Sequence, residues 1–195
     1  YSRGTRFPIP ENIDFIRTAS YWKNSGSTVW FDNGWNFFDS DWVPLGACSW
    51  TEVNYKKGAA VFSGDPVNSL EMKGRAAQMI DLYPSKLLKE GVRYALWSVL
   101  CYSNVPFANA EDVFAALQWG ENAQSGKLFE PSRCQLSFPL KGKGKTKFVC
   151  VVDLLTREMI YIDANLYGKV NTASANGISL QTNMPPFMEY IESLP

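Results

Sequence analysis

Phe148-Val149-Cys150-Val151-Val152 is an unbroken apolar run, and its length decides the fold. It is far short of the ~20 residues that cross a bilayer as a helix. Its β-branched residues favour a strand buried on both faces. It sits within Lys147–Leu155, and Met159–Ala164 has the same character. Toward the N-terminus come similar runs at Cys134–Leu140, Arg93–Tyr102, Ala77–Tyr83, Ala59–Ser63, Gly46–Val53, Thr28–Asp32 and Ile13–Trp22. Turn formers punctuate them, at Asn24-Ser25-Gly26, Asn33-Gly34, Gly64-Asp65-Pro66 and Gly142-Lys143-Gly144. Short strands separated by turn signals predict an all-β chain, a two-sheet β-sandwich with a few short peripheral helices.

Three segments read as those helices. Pro84–Gly91 has Pro at its start and Gly at its end. Ala110–Trp119 spaces Val113, Phe114 and Leu117 at helical intervals, and Pro186–Leu194 spaces Phe187, Tyr190, Ile191 and Leu194 likewise. Tyr1–Glu11, broken by Gly4, Pro8 and Pro10, reads as an extended arm or linker from an upstream region. Residues 12–195 are then the sandwich domain with its C-terminal helix. The absence of an initial Met fits a processed form or a segment of a longer protein.

The chain has 195 residues and no histidine. That removes Ser-His-Asp and Cys-His nucleophile activation, His-ligated zinc and haem, and the usual neutral-pH general base. Lys+Arg and Asp+Glu balance at 19 each, so no bulk nucleic-acid binding is expected, because phosphate neutralisation needs an excess of cations. No segment has the length of a membrane span. Cys48, Cys101, Cys134 and Cys150 are scattered and form no C-x-x-C pair. They read as free thiols in a reducing, cytoplasmic setting. Lys141-Gly-Lys-Gly-Lys-Thr-Lys147 ends like a phosphate-binding loop, but Pro139 stands where the first glycine belongs and a strand follows instead of a helix. A lysine-rich hairpin tip is the expectation there.

The remaining chemistry lies in loop carboxylates and tryptophans. Asp32, Asp65 and Asp81 sit near turn or strand-end positions, and loops of this kind can present oxygens to a hard cation such as Ca²⁺. Asp39 and Asp41 flank Ser40 and read as turn formers. Trp30, Trp35, Trp42 and Trp50 fall close together. They read as core, or as an aromatic platform for a carbohydrate or peptide. A carboxylate-based hydrolase using Asp32 with Asp65 or Asp81 would need the pair across one cleft.

Taken in order, several segments resemble the TerD family of tellurite-resistance and stress-response domains. Ile16–Lys23 is similar to the family's opening strand, and Val29–Gly34 occupies the place of its D-L-D-x-S motif. Gly58–Asp65 resembles its H-S-G-D loop, and Gly74–Leu82 its G-A-x-E-x-I-D-x-D-L strand. Gly91–Leu96 and Cys101–Phe107 resemble the G-v-R-Y-v and v-Y-S-G-x-x-F segments, so the likeness runs from about Phe7 to Leu166. The resemblance implies a β-sandwich without catalytic activity, often binding Ca²⁺ through acidic loops, in cytoplasmic stress response. The chain departs from the pattern where metal would bind: Trp30, Phe62, Gln78 and Tyr83 replace Asp, His, Glu and Asp, leaving Asp32, Asp65 and Asp81. The implied reading is a non-catalytic binding or scaffold domain of a larger stress- or defence-related protein. Its calcium site is degenerate, it needs no cofactor unless Ca²⁺ persists, and its partners are proteins or other domains of the same polypeptide.

Overall fold

Every residue of the strand Thr146–Asp153 is buried, because its sheet is covered on both faces. The computed structural model that shows this describes residues 1–23, 31–62, 75–101, 113–120, 135–141, 145–166 and 173–195. The strands are β1 (Arg6–Pro8), β2 (Phe15–Lys23), β3 (Phe31–Phe38), β4 (Pro44–Cys48), β5 (Asn54–Tyr55), β6 (Ala60–Phe62), β7 (Arg75–Leu82), β8 (Tyr94–Cys101), β9 (Phe114–Gly120), β10 (Leu136–Pro139), β11 (Thr146–Asp153) and β12 (Glu158–Leu166). Two helices accompany them, α1 (Pro84–Lys89) and α2 (Gly177–Ser193). One antiparallel sheet runs β1-β12-β11-β8-β3-β4 and the other β10-β9-β2-β7-β6-β5. The expected two-sheet sandwich is the observed fold.

The first sheet is the middle layer of three. Its inner face packs Phe31, Trp35, Phe37, Trp97, Val99 and Val152 against Ile16, Ile80, Leu82 and Leu117 of the second sheet. Its outer face carries Phe38, Leu96, Val151, Ile160 and Ile162, covered by Leu180, Met184, Met188 and Ile191 of α2. Burying each such side chain contributes about 2 kcal/mol. Double coverage is why β11 reads as a continuous apolar run over 148–152 and not as an alternating pattern.

The helix α1 follows its sequence signals. Pro84 fills the first turn, Leu87 is buried, and Lys86 and Lys89 sit in the last turn, where positive charge suits the helix dipole. Gly91 (φ 83°) closes it: the Gly91 and Val92 amides donate to the Leu88 and Leu87 carbonyls, a left-handed cap that favours glycine.

Four expectations are corrected. Asn33-Gly34 is no turn but lies inside β3, and the predicted strand Thr28–Asp32 is described only from Phe31 onward. A Cβ at Gly34 would lie 3.3 Å from the Ala173 Cβ and 3.4 Å from the Ser98 Oγ, so close packing on the outer face explains the glycine. The described part of Ala110–Trp119 is the strand β9, paired to β2 and β10, not a helix. Its Ala115 and Leu117 face one core and Ala116 the other side, so apolar residues on both faces imitate helical spacing. The C-terminal helix begins at Gly177, not Pro186, and carries Pro185 and Pro186 inside it. The lysine-rich segment joins β10 in one sheet to β11 in the other, so it is not a hairpin tip. Lys147 is itself buried in β11, its Nζ donating to Asp163 Oδ1 at 2.7 Å.

The N-terminal segment carries a strand and is hydrogen-bonded to the first sheet. β1 pairs with β12, Arg6 opposite Ile160. Arg3 donates to the carbonyls of Ile162 and Asp163, both at 2.9 Å.

Candidate functional site

The carboxylates singled out by sequence have different surroundings. Asp32 stands near the start of β3, where the strand has β8 on one side. On the other side β4 reaches only to Trp35. The unreached Asn33 amide donates instead to Gln78 Oε1 of β7 at 2.9 Å. The other end of that amide, Gln78 Nε2, donates to Asp32 Oδ1 at 2.8 Å. Gln78 is 1% exposed and Asp32 7%, so a neutral amide caps the strand edge and gives the buried carboxylate a donor.

This contact belongs to a polar network between the sheets. Asn33 Nδ2 donates to the Thr18 carbonyl at 2.9 Å. Asn33 Oδ1 accepts from Trp97 Nε1 at 2.6 Å, and Thr18 Oγ1 accepts from Trp35 Nε1 at 2.8 Å. Thr18 is on β2, Asn33 and Trp35 on β3, Gln78 on β7 and Trp97 on β8, so four strands from both sheets meet here.

Asp81 lies on the opposite face of β7. Gln78 and Ile80 point into the sandwich, whereas Asp81 forms a two-pronged ion pair with Arg17, at 2.8 and 2.9 Å. Both side chains are largely buried, at 10% and 13% exposure. The hydrogen bond to Asp81 raises the Arg17 pKa, against the opposing effect of burial. Asp32 and Asp81 therefore share no cleft, and a hydrolase built on that pair has no geometric basis. Asp65 lies outside the described residues. Among the described residues, no group of three or more Cys, Asp or Glu side chains is placed to hold a metal ion. Asp39 is a turn former, its Oδ1 accepting from the Asp41 and Val43 amides at 2.9 Å each.

The tryptophans are mostly interior. Trp35 is fully buried and Trp42 is 7% exposed, stacked on Tyr94 with centroids 4.2 Å apart. Neither serves as a surface platform, so for both the core reading holds. Trp50 is 40% exposed, and Trp30 lies outside the described residues. Cys48, Cys101 and Cys150 are buried thiols outside any disulfide, and Cys134 lies outside the described residues. Burial pushes the Cys48 pKa up to about 12 and the Cys150 pKa well above its ordinary value. Such thiols are poor nucleophiles.

Sequence reading missed one place. Between α2 and the outer face of the first sheet lies a cleft of about 460 Å³. Phe148, Ile162 and Ala164 form its floor, and Leu180, Met184 and Phe187 its helical wall. Asn176, Ser179, Asn183 and Pro186 complete it. The spacing Leu180, Met184, Phe187, Ile191 was available as a signal for the helix. The two prolines hid it by imitating a helix start.

No family model matches the chain, and no curated protein matches it significantly.

Proposed function

We propose that this is a non-catalytic TerD-like binding or scaffold domain of a larger cytoplasmic stress- or defence-related protein, whose calcium-site positions have become structural contacts. The observation that carries the reading is the Gln78–Asp32 hydrogen bond. Where the family pattern has Glu, this chain has an amide. That amide removes one negative charge and occupies the remaining carboxylate with a donor. Calcium affinity follows the number of charged oxygen ligands, so both changes weaken a cation site. The Arg17–Asp81 pair has the same effect at the third position, because the guanidinium supplies the positive charge an ion would bring. Absent histidine and high-pKa thiols leave the described residues without a ready nucleophile and base. Free buried thiols suit a reducing compartment. The partner is another protein or a further domain of the same polypeptide.

Calorimetric titration with Ca²⁺ tests the reading. The expected result is no binding tighter than about 10⁻⁵ M, the sensor range. Tighter binding that Asp65→Ala or Asp32→Asn abolishes would overturn it.

A further inference from the structure

The cleft under α2 carries an inference that goes beyond the proposed function and stands or falls independently of it. We propose that it binds a neutral, apolar small molecule ending in a hydroxyl, such as a medium-chain alcohol.

Size comes first. About 460 Å³ lies within the ~300–1,000 Å³ range of small-molecule pockets. The gap is bounded by this chain's own sheet and helix. Chemistry comes second. Floor and wall are aliphatic, aromatic and thioether groups, and among the described residues no ionisable side chain lines the cleft. A carboxylate or ammonium ligand would lose its hydration without gaining a counter-charge. An alkyl body loses nothing, and apolar cavities readily take up apolar guests. Met184, unbranched and adaptable, can follow the contour of such a body.

The polar edge supplies the third argument. Asn183 Nδ2 donates to the Ser179 carbonyl at 2.8 Å and to Ser179 Oγ at 3.3 Å. With Ser179 Oγ accepting there, its proton is left to donate. With Asn183 Nδ2 engaged, its Oδ1 is left to accept. One donor and one acceptor, a single helical turn apart, match a hydroxyl, which can both accept and donate. Pro185 and Pro186 lack an N–H, so the helical ladder is interrupted beside the cleft and α2 can adjust to a guest.

The test uses the 195-residue protein and the neutral fluorophore N-phenylnaphthylamine. Saturable, one-to-one fluorescence enhancement is expected. Decanol should displace the probe about tenfold more effectively than decanoate, a difference of ~1.4 kcal/mol. Ala164→Trp, which fills the floor, should abolish binding while leaving circular dichroism and the cooperative melt intact. Should that variant not fold, Phe187→Ala at the partly exposed wall serves instead and should shift probe affinity at least threefold. Ser179→Ala, at an exposed position, should weaken decanol competition. The proposal is overturned by an absence of saturable binding, by equal competition from decanoate, or by binding that neither the Ala164 nor the Phe187 substitution changes.

Discussion

Trp35 and Trp97 lie face to face on adjacent strands of the middle sheet, their ring centroids 5.7 Å apart and their planes 10° from parallel. Their indole N–H groups nevertheless leave in different directions, one to Thr18 Oγ1 and the other to Asn33 Oδ1. The stack sets Trp35 opposite Trp97 in the register of β3 on β8; the Trp35 N–H ties it to the second sheet directly, and the Trp97 N–H does so through Asn33, which donates to the Thr18 carbonyl. Asn33→Ala would strand the Trp97 N–H in the core together with the acceptors Asn33 now serves. A loss of ~3 kcal/mol is expected, read by urea unfolding. A loss under ~1 kcal/mol would mean the network contributes little.

Gln78→Glu replaces a buried amide by a carboxyl group. It would set a second carboxylate against Asp32, where an N–H now lies 2.8 Å away. Like charges raise the pKa of one member of such a pair. A carboxyl raised in the folded state contributes full stability below its unfolded pKa and loses it as pH rises through the folded value. The variant should therefore be ~2 kcal/mol less stable at pH 7, and close to the parent below about pH 4. Thermal melts at both pH values decide this, and an equal deficit at both would contradict it.

Asp81→Ala leaves the Arg17 guanidinium largely buried without its carboxylate. Breaking one half of such a pair costs ~3 kcal/mol, whereas replacing both halves by apolar groups costs far less. Arg17→Met combined with Asp81→Leu should accordingly be more stable than Asp81→Ala alone. A double-mutant cycle in denaturant measures the coupling, and strict additivity would show that the pair is not coupled.

Alkaline pH should destabilise the fold earlier than tyrosine chemistry alone predicts. Burial raises the Cys48 pKa to about 12, and burial, with Asp163 adding to it, raises Tyr161 to about 12. Their unfolded values are ~8.5 and ~10. Both groups bind protons more tightly when folded, so their contribution is intact below the unfolded pKa and is lost as pH climbs toward the folded one. The melting temperature should hold up to about pH 8.5 and fall between there and 12, with a shallower onset in Cys48→Ala. A flat profile to pH 11 would count against this.

Gly46 (φ 156°) is the tightest backbone approach at the sheet edge. A Cβ there would sit 2.6 Å from Tyr55 Cε2, and Tyr55 is packed on Phe37. Gly46→Ala should cost ~2 kcal/mol, measurable by calorimetry, and Gly46→Ala with Tyr55→Leu should recover part of it.

Sequence patterning revealed the sandwich because most strands are short, apolar and separated by turn residues. It failed where tertiary packing overrode local preference. Asn33-Gly34 has the composition of a turn, yet Asn33 bonds to both sheets and Gly34 makes room for Ala173. Helical spacing in Val113–Trp119 arose from a strand apolar on both faces. The start of α2 was hidden by Pro185-Pro186, whose local cost is offset by Leu180, Met184 and Met188 packing on the middle sheet. Of the candidate carboxylates, sequence identified Asp32 and Asp81 as unusual. It held no information on their partners, because Gln78 and Arg17 reach them only through strand pairing and the contact between sheets.

The docking of Arg3 on residues near position 162, 159 positions away in the chain, has a consequence for synthesis. The arm's strand has its place only beside β12, and the outer face of the middle sheet stays bare until α2 exists. A ribosome making this chain would hold incomplete sheets until α2 has emerged. Folding of the sandwich must then wait for α2 and be slow, as expected when the decisive contacts join distant parts of a chain.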